Sequence, residues 1–158
     1  MPFNDGTNNN PSEKVSERKI VNSRIFHASR EDIFKAFSDP DKLKKWWGPK
    51  GFSNTFYEFD MKPGGHWHYV MHGPNGIDYE NKSTFLEVVE PVKLALRHLE
   101  PDHEFLLTIT LSELDGQTKL TWHMLFDRPD ECNKVKSFVI KANEQNLDRL
   151  EYELKSSY

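Results

Sequence analysis

Strand-like runs set apart by short turns, an opening strand followed by two short helices, and one long amphipathic segment at the end predict an α+β protein. In that architecture a curved antiparallel sheet of about six to seven strands wraps around a long C-terminal helix. The chain has 158 residues, about one domain, and 36% of them are hydrophobic, enough for a real core. Residues 1–16 are rich in Asn, Gly, Pro and Ser and almost lack apolar side chains. They cannot bury enough surface to offset the entropy of ordering, so a flexible tail is expected ahead of a single domain over 17–158.

The elements follow in order. Ile20 to His27 is β-rich, and Ser29 with Asp32 forms a capping-box-like start to a helix that carries Ile33, Phe34 and Phe37 on one face. Asp39-Pro40 opens a second short helix, which ends in Trp46-Trp47-Gly48-Pro49. Strands are then expected at about Phe52 to Met61, Gly65 to Gly73, Asp78 to Glu90, Val92 to Leu99, Glu104 to Leu114 and Thr118 to Asp127. Between them stand Lys62-Pro63-Gly64, Gly73-Pro74-Asn75-Gly76, Glu90-Pro91, Pro101-Asp102 and Asp115-Gly116, all short turn signals that imply successive antiparallel pairing. Alternation puts Phe105, Leu107, Ile109 and Leu111 on one side of their strand and Leu120, Trp122, Met124 and Phe126 on one side of the next. From about Asp130 to Leu154, the residues Val135, Phe138, Val139, Ala142, Leu147, Leu150 and Leu154 recur at helical spacing.

Three motifs carry a family likeness. The opening strand and helix read Arg24-Ile25-Phe26-His27-Ala28-Ser29-Arg30-Glu31-Asp32-Ile33-Phe34-Lys35-Ala36-Phe37; next comes Asp39-Pro40-Asp41-Lys42-Leu43-Lys44-Lys45-Trp46-Trp47-Gly48-Pro49, then Asp60-Met61-Lys62-Pro63-Gly64-Gly65-His66-Trp67. These resemble the AHSA-type branch of the START-like, or SRPBCC, helix-grip superfamily, the relatives of the activator of Hsp90 ATPase. Lys62 stands where the family has arginine, which keeps the charge and loses the bidentate fork. Leu147-Asp148-Arg149-Leu150 matches the family's closing Leu-x-x-Leu, although Glu144-Gln145-Asn146 replaces the usual Gly-Trp before it. The resemblance implies a helix-grip fold, a cavity between sheet and C-terminal helix for a small hydrophobic or aromatic molecule, and, by the family's name, a link to stress response. The eukaryotic activator carries a separate amino-terminal domain, whereas about twenty tail-like residues precede the first strand here, so a chaperone partner is not expected.

The candidate cavity residues are Trp46 and Trp47 at the helix end, Tyr57 and Phe59 on one strand, and Trp67, Tyr69 and Met71 on its neighbour. Leu96 and His98, Leu107 and Ile109, and Trp122 and Met124 come from later strands, and Phe138 and Ala142 from the long helix. Core packing without a cavity is the competing account of the same pattern. Trp46 and Trp47, if left wet, would instead mark a homodimer interface.

Chemistry is thinly signalled, and no catalytic residue is assigned. Glu58 and Asp60 alternate with aromatics, but Asp60 precedes the Pro63-Gly64-Gly65 turn and is expected to accept hydrogen bonds from turn amides with its side chain. His98 is in register with Leu94 and Leu96 as a core histidine. An enzyme of the cyclase or hydrolase kind using Asp60, Glu58 or His98 is the alternative to simple binding. His66, His68 and His72 sit two or four apart, a spacing that shares a face, yet that face is opposite Trp67, Tyr69 and Met71 and a further ligand is missing; no metal and no cofactor are expected. Cys132, the single cysteine, is read as passive. The net charge of −4, with no compensating basic run, argues against nucleic acid. No apolar stretch is long enough for a signal sequence or a membrane span, and a cytoplasmic location is expected.

Overall fold

The computed structural model describes residues 17–100 and 104–157. The elements are β1 (Lys19–Phe26), α1 (Arg30–Ser38), α2 (Pro40–Trp46), β2 (Ser53–Phe59), β3 (His66–His72), β4 (Asp78–Val89), β5 (Lys93–Glu100), β6 (Phe105–Leu114), β7 (Gln117–Phe126) and α3 (Pro129–Ser157). The order of one strand, two short helices, six strands and one long helix is the expected one. The tail assigned to residues 1–16 and the Pro101-Asp102 turn lie outside the described residues.

All seven strands form a single antiparallel sheet in the order β1-β7-β6-β5-β4-β3-β2. From β2 to β7 consecutive strands pair as short connections require, and β1 adds to the far edge beside β7. The β3–β4 hairpin shows how local chemistry sets register. Asn75 Oδ1 accepts the Ile77 amide at 3.0 Å, and Gly73 N donates to Ile77 O at 2.9 Å, which places Met71 opposite Tyr79 and Tyr69 opposite Asn81. The β2–β3 turn needs its glycine, because a Cβ at Gly65 would collide with the Asp60 carbonyl. Here the Asp60 expectation is corrected. Its backbone carbonyl, not its carboxylate, accepts the Lys62 amide at 2.9 Å, while the half-exposed carboxylate lies 3.5 Å from Lys62 Nζ at the surface.

The short helices start as their caps dictate. Ser29 Oγ accepts from Asp32 N at 3.1 Å, and Asp39 Oδ1 accepts from Asp41 N at 2.9 Å with Pro40 in the first turn of α2. The tryptophan pair then turns inward. Trp46 is 1% exposed, donates from Nε1 to Ala36 O at 3.0 Å and meets Phe37 edge-on at 4.9 Å. Trp47 is 8% exposed. The wet aromatic patch on which a homodimer reading rested is therefore absent from the surface.

The long helix α3 packs against β1, β7, α1 and α2 on the inner face of the sheet. Asn22 Nδ2 on β1 donates to Ile140 O at 3.2 Å and to Glu144 Oε2 at 2.8 Å, and the Arg24 guanidinium reaches Glu144, Asp148 and Glu151 at 2.8 to 3.2 Å. Among the described residues no helix is long and apolar enough to cross a membrane.

Candidate functional site

One loop governs the interior, the Trp47-Gly48-Pro49 segment that ends α2. A helix C-terminus leaves carbonyls without partners, and α3 supplies donors to them. Arg149 Nη1 donates to Trp47 O, Gly48 O and Pro49 O at 2.9 to 3.2 Å, and Nη2 donates to Lys45 O at 2.8 Å. Asn146 donates from Nδ2 to Trp46 O at 2.8 Å and accepts the Gly48 amide at 3.1 Å. Burial holds the Arg149 guanidinium pKa below its ordinary value. Gly48 has φ +99°, a left-handed backbone that favours glycine, and it lies against the Met71 methyl of β3.

So fixed, the Trp47 ring divides the interior in two. It stacks on Trp122 at 5.3 Å, leans on Trp67 at 5.0 Å, and donates from Nε1 to the Tyr69 hydroxyl at 3.0 Å. On one side lies a void of about 10 Å³ lined by Phe37, Leu43, Phe59, Met61, Trp67, Phe85, Leu94, Leu96 and Ile109, with Trp47 and Leu107 in the partition. That volume is at most the room of a single water, and the lining offers it no polar partner. On the other side lies a cavity of about 420 Å³ between the sheet and the first half of α3. Its sheet wall is Tyr69 and Met71 on β3, Tyr79 and Asn81 on β4, His98 on β5, Phe105 and Leu107 on β6, and Trp122, Met124 and Phe126 on β7. Val135, Phe138, Val139, Ala142, Asn143 and Asn146 cover it from α3, and Trp47, Gly48, Pro49 and Phe52 close one end.

The candidates therefore divide. Trp47, Tyr69, Met71, His98, Leu107, Trp122, Met124, Phe138 and Ala142 line the larger cavity. Phe59, Trp67, Leu96 and Ile109 line the filled end instead. Trp46 lines neither and is buried against Phe37. Tyr57 points away at 65% exposure, over His68 on the outer face. The cause is a bulge: Phe56 pairs with Tyr69 but Glu58 with His68, so Tyr57 is an extra residue and Phe56, not Tyr57, shares the inner side with Phe59. Tyr79 and Asn81 escaped the sequence reading although the Gly73-Gly76 hairpin places them opposite Met71 and Tyr69. Asn143 and Asn146 continue the apolar stripe of Val139 and Ala142 at helical spacing, and polar residues inside such a stripe are the signal that was available.

Several polar groups of the wall have defined partners. His98 Nε2 and Asn81 Oδ1 lie 2.8 Å apart, the imidazole stacks on Phe105 at 4.6 Å, and Asn81 Nδ2 donates to Tyr79 O at 3.0 Å. Asn143 Nδ2 donates to Asn22 Oδ1 at 3.0 Å. Burial pushes the Tyr69 phenol pKa up, against the Trp47 hydrogen bond, so the hydroxyl keeps its proton at neutral pH. Three buried side-chain atoms among the described residues lack a partner: Asn54 Oδ1, Trp67 Nε1 and Trp122 Nε1. An unmet buried donor costs on the order of 1–3 kcal/mol. Trp122 belongs to the wall of the larger cavity.

Other candidates for chemistry stand elsewhere. Glu58 and Asp60 are exposed. His68 and His72 lie on the outer face, 2.7 Å from Glu80 and 2.8 Å from Asp78, and no cluster of three metal-ligating side chains occurs among the described residues. Cys132 is fully buried, and burial raises its thiol pKa, which disfavours the thiolate.

Comparison with known proteins gives a consistent picture. The family model for activator of Hsp90 ATPase homolog 1-like protein matches residues 27–155. A solved protein from Nitrosomonas europaea is 22% identical with a TM-score of 0.82 over 90% of this chain and 97% of its own. One from Mycobacterium smegmatis is 23% identical with a TM-score of 0.81 over 91% and 95%. The AHSA1 protein of Silicibacter pomeroyi is 21% identical with a TM-score of 0.74 over 89% and 99%. At these identities the structures share the fold. Among curated proteins none matches.

Proposed function

The chain belongs to the activator of Hsp90 ATPase homolog 1-like family, and on that premise we propose that it binds a small apolar or aromatic molecule between the sheet and α3, in the cytoplasm. The observation that supports this reading is the cavity of about 420 Å³, whose walls are mainly aromatic and aliphatic with a few placed polar groups. Pockets of roughly 300–1,000 Å³ with that lining suit small organic ligands. A filled core would have left no such space, and the other end of the same sheet shows what filling looks like.

Native mass spectrometry of freshly purified protein, beside the same sample denatured, tests the proposal by looking for a small molecule that denaturation releases. A second assay uses the neutral dye N-phenyl-1-naphthylamine, whose fluorescence rises in apolar surroundings. Ala142→Phe places a ring into the cavity from α3 and is expected to abolish the dye signal while leaving the thermal midpoint within a few degrees, since open space receives the added atoms. Dye binding equal in both proteins, with no native adduct, would sink the reading.

A turnover reading has one foothold, His98 with Asn81 in the cavity wall. Under it, His98→Gln abolishes conversion of a substrate and leaves binding intact. Direct chaperone activation has no part in the proposal; a changed chaperone ATPase rate on adding this protein would restore it.

A further inference from the structure

We infer that the ligand is uncharged and carries a hydrogen-bond-accepting oxygen of the carbonyl type, which takes the hydrogen of the Tyr69 hydroxyl. This rests on the cavity reading above and narrows it.

Tyr69 is 3% exposed and lines the cavity. Its oxygen already accepts the Trp47 indole N–H at 3.0 Å, so the hydroxyl hydrogen points elsewhere, and no acceptor meets it among the described residues. The neighbouring amide does not fill the gap: Asn81 Oδ1 lies 2.8 Å from His98 Nε2, and no hydrogen bond joins it to the Tyr69 hydroxyl. Trp122, stacked on Trp47 in the same wall, keeps its own indole N–H buried away from the cavity. The Tyr69 O–H is thus the donor in this wall for which a ligand oxygen would supply the missing acceptor. The Trp47 hydrogen bond also polarises the Tyr69 O–H and makes it a better donor.

The neutrality follows from the lining. No lysine, arginine, aspartate or glutamate is among the described residues that line the cavity, and His98, held by Asn81, is the imidazole among them. A charged ligand would give up its hydration with no ammonium, guanidinium or carboxylate among those residues to offset the loss, at a cost that apolar contact does not recover.

Three tricyclic compounds of one shape test this: 9-fluorenone, with a ketone; fluorene, with none; and fluorene-9-carboxylate, an anion. Each competes with N-phenyl-1-naphthylamine for wild type and for Tyr69→Phe. Fluorenone is expected to bind wild type about tenfold tighter than fluorene, the worth of one well-made hydrogen bond, with the carboxylate weakest. Tyr69→Phe should weaken fluorenone to the level of fluorene and leave fluorene unchanged. The infrared carbonyl stretch of bound fluorenone gives a second readout in wild type alone, with a shift to lower wavenumber expected from the hydrogen bond. Equal binding of ketone and hydrocarbon, an unshifted carbonyl, a preference that survives in Tyr69→Phe, or tightest binding of the carboxylate would each overturn the inference while the cavity reading stands. Failure of all three compounds to displace a dye that does bind overturns it as well, and absence of dye binding overturns both.

Discussion

The two ends of the interior face the same sheet and obey the same alternation of inward side chains, yet one is filled and the other holds about 420 Å³. At the filled end, α1 and α2 press Phe37 and Leu43 onto the sheet, and the rings of Phe59, Trp67 and Phe85 pack edge-on and stacked at 5.6 to 6.0 Å. At the open end the cover is the first half of α3, where Val135, Val139 and Ala142 present smaller side chains to the cavity than Phe37 and Leu43 do at the filled end. The second half of the same helix buries Leu147, Leu150 and Leu154. Strand patterning therefore makes an inner face at both ends, and the size of the covering side chains decides which end becomes a core. The partition is Trp47, and the ends stay distinct only while its ring is in place.

The strongest way to break this difference is Trp47→Ala. Removing the ring joins the two voids, strips Trp122 and Trp67 of a neighbour and leaves Tyr69 without its donor. A loss of about 3–5 kcal/mol is expected, as for large aromatics deleted from cores. Urea denaturation measures it, and a loss below about 1 kcal/mol would mean that the partition contributes little. Next in size is Arg149→Ala. It removes the donors to four carbonyls at the end of α2 and is expected to cost about 2 kcal/mol, because hydrogen bonds from a charged group exceed neutral ones. Arg149→Lys should recover only part, since a single ammonium cannot span the same set of oxygens. If dye affinity fell no further than stability in these variants, the loop would be supporting the fold without shaping the cavity.

The filled end and the open end were not equally legible. Element order and strand pairing follow from turn residues and alternation, which act over a few residues, and they are visible in Lys62-Pro63-Gly64-Gly65 and Gly73-Pro74-Asn75-Gly76. The Ser29 and Asp39 caps were readable for the same reason. Alternation failed at Tyr57, where a bulge inserts one residue and exchanges the faces; nothing in Phe56-Tyr57-Glu58-Phe59 announces it. The division of Phe59, Trp67, Leu96 and Ile109 from Tyr69, Met71, Trp122 and Met124 was not legible either. It depends on where α2 and α3 lie over the sheet, and those placements are set by contacts such as Arg149 to Trp47 and Asn146 to Gly48, about a hundred positions apart in the chain.

The smallest expected effect concerns the joint between the two halves of α3, where Glu144 lies between the cavity residues Asn143 and Asn146 and ties the helix to β1. Asn22 Nδ2 donates to its carboxylate at 2.8 Å and Arg24 at 3.0 Å, and these hold the Glu144 pKa below the ordinary carboxylate range. A carboxylate whose folded pKa is depressed contributes stability that is fully present above its unfolded pKa and is lost as pH falls toward the folded value. Wild type should therefore lose stability as pH drops below about 4.3, in part through this group. Since the side chain is 46% exposed, solvent screens the pair, and the contribution at neutral pH is expected to be under about 1 kcal/mol. Other acids titrate in the same window, so the informative quantity is the difference between wild type and Glu144→Gln across pH. That difference should shrink on acidification, because the wild-type carboxyl becomes as neutral as the amide that replaces it. A difference that stays constant from pH 7 to pH 3 would place the worth of the residue in packing, and the hold of β1 on α3 beside the cavity would then owe nothing to its charge.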